Sequence, residues 1–345
     1  MEKKMKAAVI ESVNNMNLKD VPVPILKQGE CLIKVKYSGI CGTDVHILNG
    51  AYKTDEFPII PGHEFVGELV EICGDNPNGI AVGDIVTAQE IVSCGSCEAC
   101  AKGADNVCSN LKIVGIQQGG SFAEYVKVLT RKTYKIPDDI DLLISSLIEP
   151  LAVAVHDVRR SDLNVGETAL VSGGGTIGLL IALVARAAGA GMVVISEVSE
   201  YRKSFAEKMG FLVVNPLDPD YENQLKKITE GKGFNVSFEA SGAKNALGNC
   251  IEYTKSTGSV MIVGIPAEME PLDINKIFKK ELRLQGVRMH SQYNYLGAIE
   301  MIKSGIISNE ISMLISKVYD FDQVGEAFKA ALNREDYYKV LVRIL

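Results

Sequence analysis

The stretch Val171-Ser172-Gly173-Gly174-Gly175-Thr176-Ile177-Gly178 decides how this chain is read. It follows an apolar, β-like run, Thr168–Ser172, and leads into an apolar helical run, Gly178–Ala188. Glycines spaced G-x-G-x-x-G between a strand and a helix answer three separate needs. Gly173 allows a tight turn, Gly175 lets the backbone approach a pyrophosphate, and Gly178 lets helix and strand pack closely. The helix N-terminus then offers amide donors and positive potential to an anion. The spacing alone is a weak signal, and the strand–turn–helix context gives it weight.

The same alternation continues outward from the loop. Strands are expected at Met192–Glu197, Val213–Asn215, Val236–Glu239 and Ser259–Val263, with Leu282–Val287 closing the sheet. Helices are expected at Glu200–Met209, Tyr221–Glu230 and Ala243–Tyr253. Alternating strand and helix imply a parallel sheet with right-handed crossovers, a doubly wound α/β Rossmann unit. Glu197 ends the second strand, nineteen residues after Gly178. A carboxylate there can accept both ribose hydroxyls of NAD and would repel the extra phosphate of NADP. Arg202 and Lys203 pull the other way, because basic residues can serve NADP. The candidate cofactor set is therefore Gly173, Gly175, Thr176, Ile177, Gly178, Glu197 and Arg202.

Before residue 150 the texture is different. Short β-like runs (Ala7–Glu11, Cys31–Ser38, Phe65–Ile72, Ile85–Gln89 and Ala123–Lys127) are separated by turn residues, which points to an irregular, mainly β domain. After the sheet, two helices (Tyr295–Ser304 and Gln323–Asn333) and a strand, Lys339–Ile344, complete the chain. A length of 345 residues suits about two domains. The net charge of −7 argues against nucleic acid as the main partner, since phosphate binding needs a basic face. The basic start, Met1-Glu2-Lys3-Lys4-Met5-Lys6, leads into too few apolar residues for a secretory signal. The apolar segment Ile177–Ile195 holds Arg186 and three glycines, and reads as a buried helix running into a strand, not a membrane span. A cytoplasmic setting is expected.

Four of the eight cysteines, Cys94, Cys97, Cys100 and Cys108, fall within fifteen residues. Two successive C-x-x-C steps and a fourth cysteine can wrap one tetrahedral ion and leave no open position, so a zinc in the lobe 90–110 would be structural. An iron–sulfur cluster is the nearest metal alternative. A second set is dispersed: Gly39-Ile40-Cys41-Gly42-Thr43-Asp44-Val45-His46, Pro61-Gly62-His63-Glu64 and Ile148-Glu149-Pro150. Cys41, His63 and a carboxylate would form a mixed S/N/O zinc site with room for water or substrate.

With those motifs in view the chain resembles the zinc-dependent medium-chain alcohol dehydrogenases, in the branch of butanediol, sorbitol and threonine dehydrogenases. The likeness runs along nearly the whole chain and includes Gly-Gly-Ser-Phe-Ala-Glu-Tyr at 119–125, Glu-Pro-Leu-Ala-Val-Ala-Val-His at 149–156 and the tail at 333–340. The resemblance implies a GroES-like mainly β catalytic domain over 1–150, a Rossmann NAD-binding domain over 151–285, and a return segment, 286–345, that completes the catalytic domain. It implies two zinc ions per chain and NAD as cofactor. Cys41, His63, Glu64 and Glu149 would surround the catalytic zinc, with either glutamate as a direct ligand, a ligand through water, or one that exchanges on and off. Asp44 would orient a ligand imidazole. Zinc would act as a Lewis acid on the substrate hydroxyl while hydride passes to nicotinamide. Thr43, the cofactor ribose and His46 would relay the proton. The glutamate pair offers a competing proton route. His156 reads as structural, and Arg288 as a residue near substrate or cofactor.

The expected substrate is a small alcohol or ketone: a secondary alcohol, vicinal diol or polyol, with butane-2,3-diol/acetoin favoured over sorbitol-type polyols and L-threonine. No membrane partner is expected, and the family resemblance implies a homodimer or homotetramer. Two rivals stand against this reading. A zinc-free quinone or enone reductase would lack the four-cysteine lobe, and a non-catalytic zinc-stabilised NAD-binding protein would need neither the dispersed ligands nor the relay pair.

Overall fold

A computed structural model describes residues 3–54, 56–266, 268–332 and 337–345. Two compact units form, one from Met1–Glu149 with Ser291–Leu345 and the other from Pro150–His290.

The second unit is built on a six-stranded parallel sheet. Its strand order is Leu212–Val214, Met192–Ser196, Thr168–Ser172, Phe234–Glu239, Thr254–Ile262 and Arg283–Gly286. The chain thus winds one way from the central strand and then the other, which is the doubly wound order of a Rossmann unit. The apolar runs expected of strands covered on both faces are all buried: Ala169–Val171, Val193–Ile195, and Val236 with Phe238. In register, Ser172 lies opposite both Ser196 and Glu239, and Glu239 opposite Ile262. The Gly-rich turn, Glu197 and the Glu239–Ser241 turn therefore share the carboxyl edge of the sheet. Ligands bind at that edge in open α/β sheets, where the strand order reverses. A cavity of about 350 Å³ opens on this edge between Glu239, Gly242, Ile262 and Gly264.

The segment that invited a membrane reading is the helix Thr176–Ala187 followed by the strand Met192–Ser196. Among the described residues no helix is long and apolar enough to cross a membrane.

The first unit holds a seven-stranded sheet. Its main path runs Ile315–Asp320, Lys339–Arg343, Glu30–Gly39, Glu64–Cys73, Ile85–Ala88 and Thr133–Lys135, and Tyr125–Leu129 also pairs with Glu30–Gly39. Its core includes Ile33, Val35, Phe65, Leu69, Phe122, Phe328 and Val342. The C-terminal strand lies inside this sheet, antiparallel to Glu30–Gly39, with Leu341 opposite Gly39. A two-residue ribbon, Ile91–Val92 with Lys112–Ile113, brackets the four-cysteine lobe. The expected helix Gln323–Asn333 is seen as Val324–Leu332, and Asn333, like the rest of 333–336 in the tail motif, lies outside the described residues.

Close helix–strand packing makes Gly178 the most demanding position of the loop. A Cβ there would sit 1.8 Å from the Gly173 carbonyl oxygen, and Gly173 itself holds a positive φ of 104°. Backbone cannot yield as a side chain can, so Gly178→Ala is expected to cost about 3 kcal/mol of stability, at the upper end for overpacking. Thermal melting of the variant checks this. An unchanged Tm would mean that the loop adapts freely.

Candidate metal and cofactor sites

Strand register assembles the first site. Gly39, at the end of one strand, lies opposite Glu64, at the start of the next. The chain leaves Gly39 into Cys41 and enters Glu64 from His63, so both candidate ligands arrive at one corner. A Cys41 Sγ, a His63 imidazole nitrogen and a Glu64 carboxylate oxygen all lie within 4.8 Å of one another. His63 and Glu64 are buried, and Cys41 is half-buried.

Asp44 ties the corner together. Cys41 is the N-cap of the helix Gly42–Leu48, with Asp44 in the first turn. The Cys41 amide donates to Asp44 Oδ2 at 2.9 Å, the Gly62 amide donates to Asp44 Oδ1 at 3.0 Å, and His63 Nδ1 stands 3.7 Å from that same oxygen. One buried carboxylate thus fixes both halves of the site. Burial raises the Asp44 pKa, while His63 and the two amides pull it down. Burial also works against a charged His63, but Asp44, Cys41 and Glu149 outweigh it and hold its pKa well above the ordinary value. This anionic corner keeps a cation on the imidazole, and a divalent ion would take the proton's place.

The Gly62 turn is backed by the 119–125 motif. Gly62 has a φ of 100°, and a Cβ on Gly120 would come within 2.4 Å of the carbonyls of both Pro61 and Gly62. Phe122 and Ser121 close the turn from the side, and Ser121 Oγ meets Ser38 Oγ at 2.7 Å.

Thr43 and His46 lie three residues apart on the helix Gly42–Leu48 and are both half-buried, hence on one face. Glu149 does not join the Cys41–His63–Glu64 trio. It is buried in the first turn of the helix Ile148–Arg160, and one of its oxygens lies within 4.8 Å of one from buried Glu90. Its charge still acts on His63 and on Lys339.

Sequence reasoning missed both Lys339 and Glu90. Lys339 is buried, and its Nζ donates to both Glu64 oxygens at 2.6 and 2.8 Å. A lysine directly before the apolar run Val-Leu-Val of the strand Lys339–Arg343 was the available signal. Glu90 lacked one, because nothing local marks it as inward-facing.

The second metal candidate is the cysteine lobe, where one sulfur from each of Cys94, Cys97, Cys100 and Cys108 lies within 4.8 Å of the others. The Cys94–Cys108 and Cys97–Cys108 sulfurs are 3.4 and 3.8 Å apart, against about 3.8 Å for the edge of a tetrahedral zinc–thiolate site. All four thiols are unbridged. Amides of Cys94 and Asn110 point at Cys108 Sγ, both at 3.3 Å. Hydrogen bonds from Ser96 lower the Cys94 pKa to about 5, and those from Cys100 and Ser109 lower Cys97 to about 7, while burial raises Cys100 to about 11. Two thiols thus favour the thiolate form that metal ions need. The donor types and convergence fit an ion at both places.

In the second unit Glu197 is buried at the sheet edge. It accepts from the Gly174 amide at 2.7 Å and from Val198 and Ser199 at 2.7 and 2.9 Å. It therefore holds the Gly-rich loop to the second strand and keeps a lone pair for a ligand. Arg202 Nη1 stands 3.9 Å from it. A neighbouring carboxylate, Glu239, gathers the Ser241 amide, the Ser241 hydroxyl and the Gly242 amide. His156 is buried, and burial, with His290 and Arg160, lowers its pKa to about 4, so it is neutral at pH 7. Arg288 is exposed.

Residues 27–138 match the alcohol dehydrogenase GroES-like domain and residues 176–304 match the zinc-binding dehydrogenase domain. The chain is 39% identical over 317 residues to a 2-dehydro-3-deoxy-L-galactonate 5-dehydrogenase of Pseudoalteromonas atlantica, covering 91% of each chain. It is 36% identical to an L-threonine 3-dehydrogenase of Shewanella baltica, over 91% of this chain and 92% of that one. Among solved structures, 2R,3R-butanediol dehydrogenase from Bacillus subtilis superposes with a TM-score of 0.90 at 31% identity, covering 99% of this chain and 100% of that one. A zinc-binding dehydrogenase from Sinorhizobium meliloti bound to NADP gives 0.88 at 32%, with the same coverage. The chain belongs to the zinc-dependent medium-chain alcohol dehydrogenase family. It is an oxidoreductase of the dehydrogenase class.

Asp44 carries the clearest consequence of this geometry. Asp44→Asn keeps the shape but loses the charge and one acceptor, and is expected to weaken metal binding or activity about 10- to 100-fold with the fold intact. Metal titration alongside circular dichroism would check it, and wild-type metal affinity would sink the assigned role.

Proposed function

We propose that this enzyme uses zinc and NAD to interconvert a secondary alcohol of a vicinal diol or polyol and its ketone, with butane-2,3-diol and acetoin as the favoured pair. The observation that carries the reading is the convergence of Cys41, His63 and Glu64 within 4.8 Å. A thiolate, an imidazole and a carboxylate suit zinc, and a set of this size can leave a position for substrate. When bound, the zinc supplies Lewis acidity and the nicotinamide supplies the hydride acceptor. The chain's own residues do the rest. Cys41 and His63 hold the ion, and Asp44 holds both of them. Thr43 and His46, on one helix face, take the proton from the substrate hydroxyl toward solvent. Glu149, beside Glu90, adds negative potential that draws a dication toward the Cys41–His63 corner. The four cysteines hold a second, structural zinc.

NAD is favoured over NADP because Glu197 is a buried carboxylate that keeps a lone pair for a ribose hydroxyl, although Arg202 stands beside it. The threonine, butanediol and galactonate positions named for the relatives are all secondary carbinols, which supports that substrate class and leaves L-threonine and polyhydroxy acids as the competing choices. A second copy of the chain is the expected partner. Among the described residues the strand Arg283–Gly286 ends the parallel sheet with no further strand on its outer edge, and Ile265, Met269 and Phe278 on the same unit are exposed apolar side chains.

Two experiments test these readings. Purified protein is expected to carry two zincs per chain and to reduce NAD with diols, polyols or secondary alcohols. A screen that includes threonine, sugar acids and primary alcohols identifies the substrate, and activity with primary alcohols alone would reject the class. Sedimentation is expected to give a dimer or tetramer, and a monomer at micromolar concentration would reject the partner.

A further inference from the structure

Lys132 has almost no access to water, with its side chain 3% exposed. It ends the turn Thr130–Lys132 that leads into the strand Thr133–Lys135. A lysine is rarely buried so far without a partner. Its Nζ donates to Asp105 Oδ2 at 2.5 Å, and among the described residues that oxygen is the only acceptor its three protons meet. Asp105 opens the short helical turn Asp105–Val107, and its carbonyl accepts from the Cys108 amide at 3.1 Å. The ion pair therefore clamps the four-cysteine lobe to the sheet.

Lys132 also adjoins the segment that carries Glu90. Ala88 lies opposite Thr133, and the Gln89 amide donates to the Lys132 carbonyl at 2.9 Å, so Glu90 follows one residue beyond. Burial lowers the Lys132 pKa, while Asp105 and, more weakly, Glu90 raise it, which puts Glu90 within electrostatic reach. Glu90 in turn has an oxygen within 4.8 Å of one from Glu149, and Glu149 acts on His63. One buried cation thus sits between an acid of the cysteine lobe and the acid pair that acts on the Cys41–His63 corner.

An ammonium in that position needs an acid, because stranding a buried charge is costly. With Asp105 withdrawn, Glu90 is the acid that remains in reach. The turn that presents Asp105 ends at Cys108, one of the four lobe cysteines. We propose that Lys132 is a positioning residue that couples the two metal sites. Metal in the lobe keeps Asp105 on Lys132. Loss of that metal frees Asp105, the ammonium turns to Glu90, and its charge cancels part of the negative potential that draws a dication to Cys41 and His63. The inference rests on the reading of both clusters as metal sites.

The zinc affinity of the Cys41–His63 corner is measured by competition with a chromophoric chelator, with total zinc and circular dichroism as controls. Wild type is compared with Asp105→Ala, with Cys97→Ser/Cys100→Ser, which empties the lobe, and with each of these carrying Lys132→Met. Asp105→Ala, its lobe zinc retained, is expected to hold corner zinc about tenfold more weakly, and the emptied lobe should have the same effect. Adding Lys132→Met to either should bring the affinity back to within about threefold of wild type, a rescue that a purely structural clamp would not give. Wild-type corner affinity in Asp105→Ala or in the emptied lobe overturns the proposal, and so does a loss that Lys132→Met fails to repair. Should Lys132→Met not fold, Asp105→Ala decides alone on the same criterion. Retention of both zincs by Cys41→Ser, or by Cys97→Ser/Cys100→Ser, would instead remove the metal reading of that cluster.

Discussion

The pairing of Gly39 with Glu64 is the constraint on which the candidate metal corner depends. Two antiparallel strands meet in register at that pair, and the next residue out on each side belongs to the turn of a candidate ligand. A shift of one residue would move every side chain to the opposite face of the sheet and carry His63 away from Cys41. Several features secure the register. The apolar faces of the two strands bury Ile33, Val35, Phe65 and Leu69 in one core, Asp44 bonds the Cys41 and Gly62 amides, and the glycines at 115 and 120 allow backbone to press against the Gly62 turn.

Charge balance is the second constraint. Cys41, Asp44, Glu64 and Glu149 all carry negative potential into a largely buried corner, where such groups repel one another and lack water. Two positive charges answer them. Burial opposes a charged Lys339, but Glu64, Cys41 and Glu149 overcome it and keep the ammonium charged, as the same surroundings do for His63. Removing either cation would leave an uncompensated anion, and that balance would favour a dication at the corner. The four-cysteine lobe meets the same need differently, through amides that stabilise the thiolates of Cys94 and Cys97.

The Rossmann unit was the more legible part. Its strand Thr168–Ser172 coincides with the expected one, and the helices at 176–187 and 200–208 start and stop within two residues of the periodic pattern. Each is a local, strongly apolar or well-capped segment, as with Ser199 capping the helix Glu200–Lys208. The elements that escaped notice are short or mostly exposed. The strand Asn15–Pro22 is mostly exposed and pairs with Lys4–Ser12, and the helix Gly42–Leu48 is seven residues long and reads as a turn. The strand Ile315–Asp320 alternates weakly and owes its place to its partner, Lys339–Arg343.

What the chain's order of residues determined by itself was chemistry that is local: the glycine spacing of the dinucleotide loop, the acid that follows it, and four cysteines close enough to share an ion. Each is written within some thirty residues, so composition and spacing suffice to read it. Tertiary structure alone decided the contacts between distant residues. It placed Lys339 against Glu64 across 275 positions, set Glu90 beside Glu149, and left Glu149 outside the Cys41–His63–Glu64 trio. Those choices follow from strand register and from the burial of charge, and both exist only once the sheet has closed.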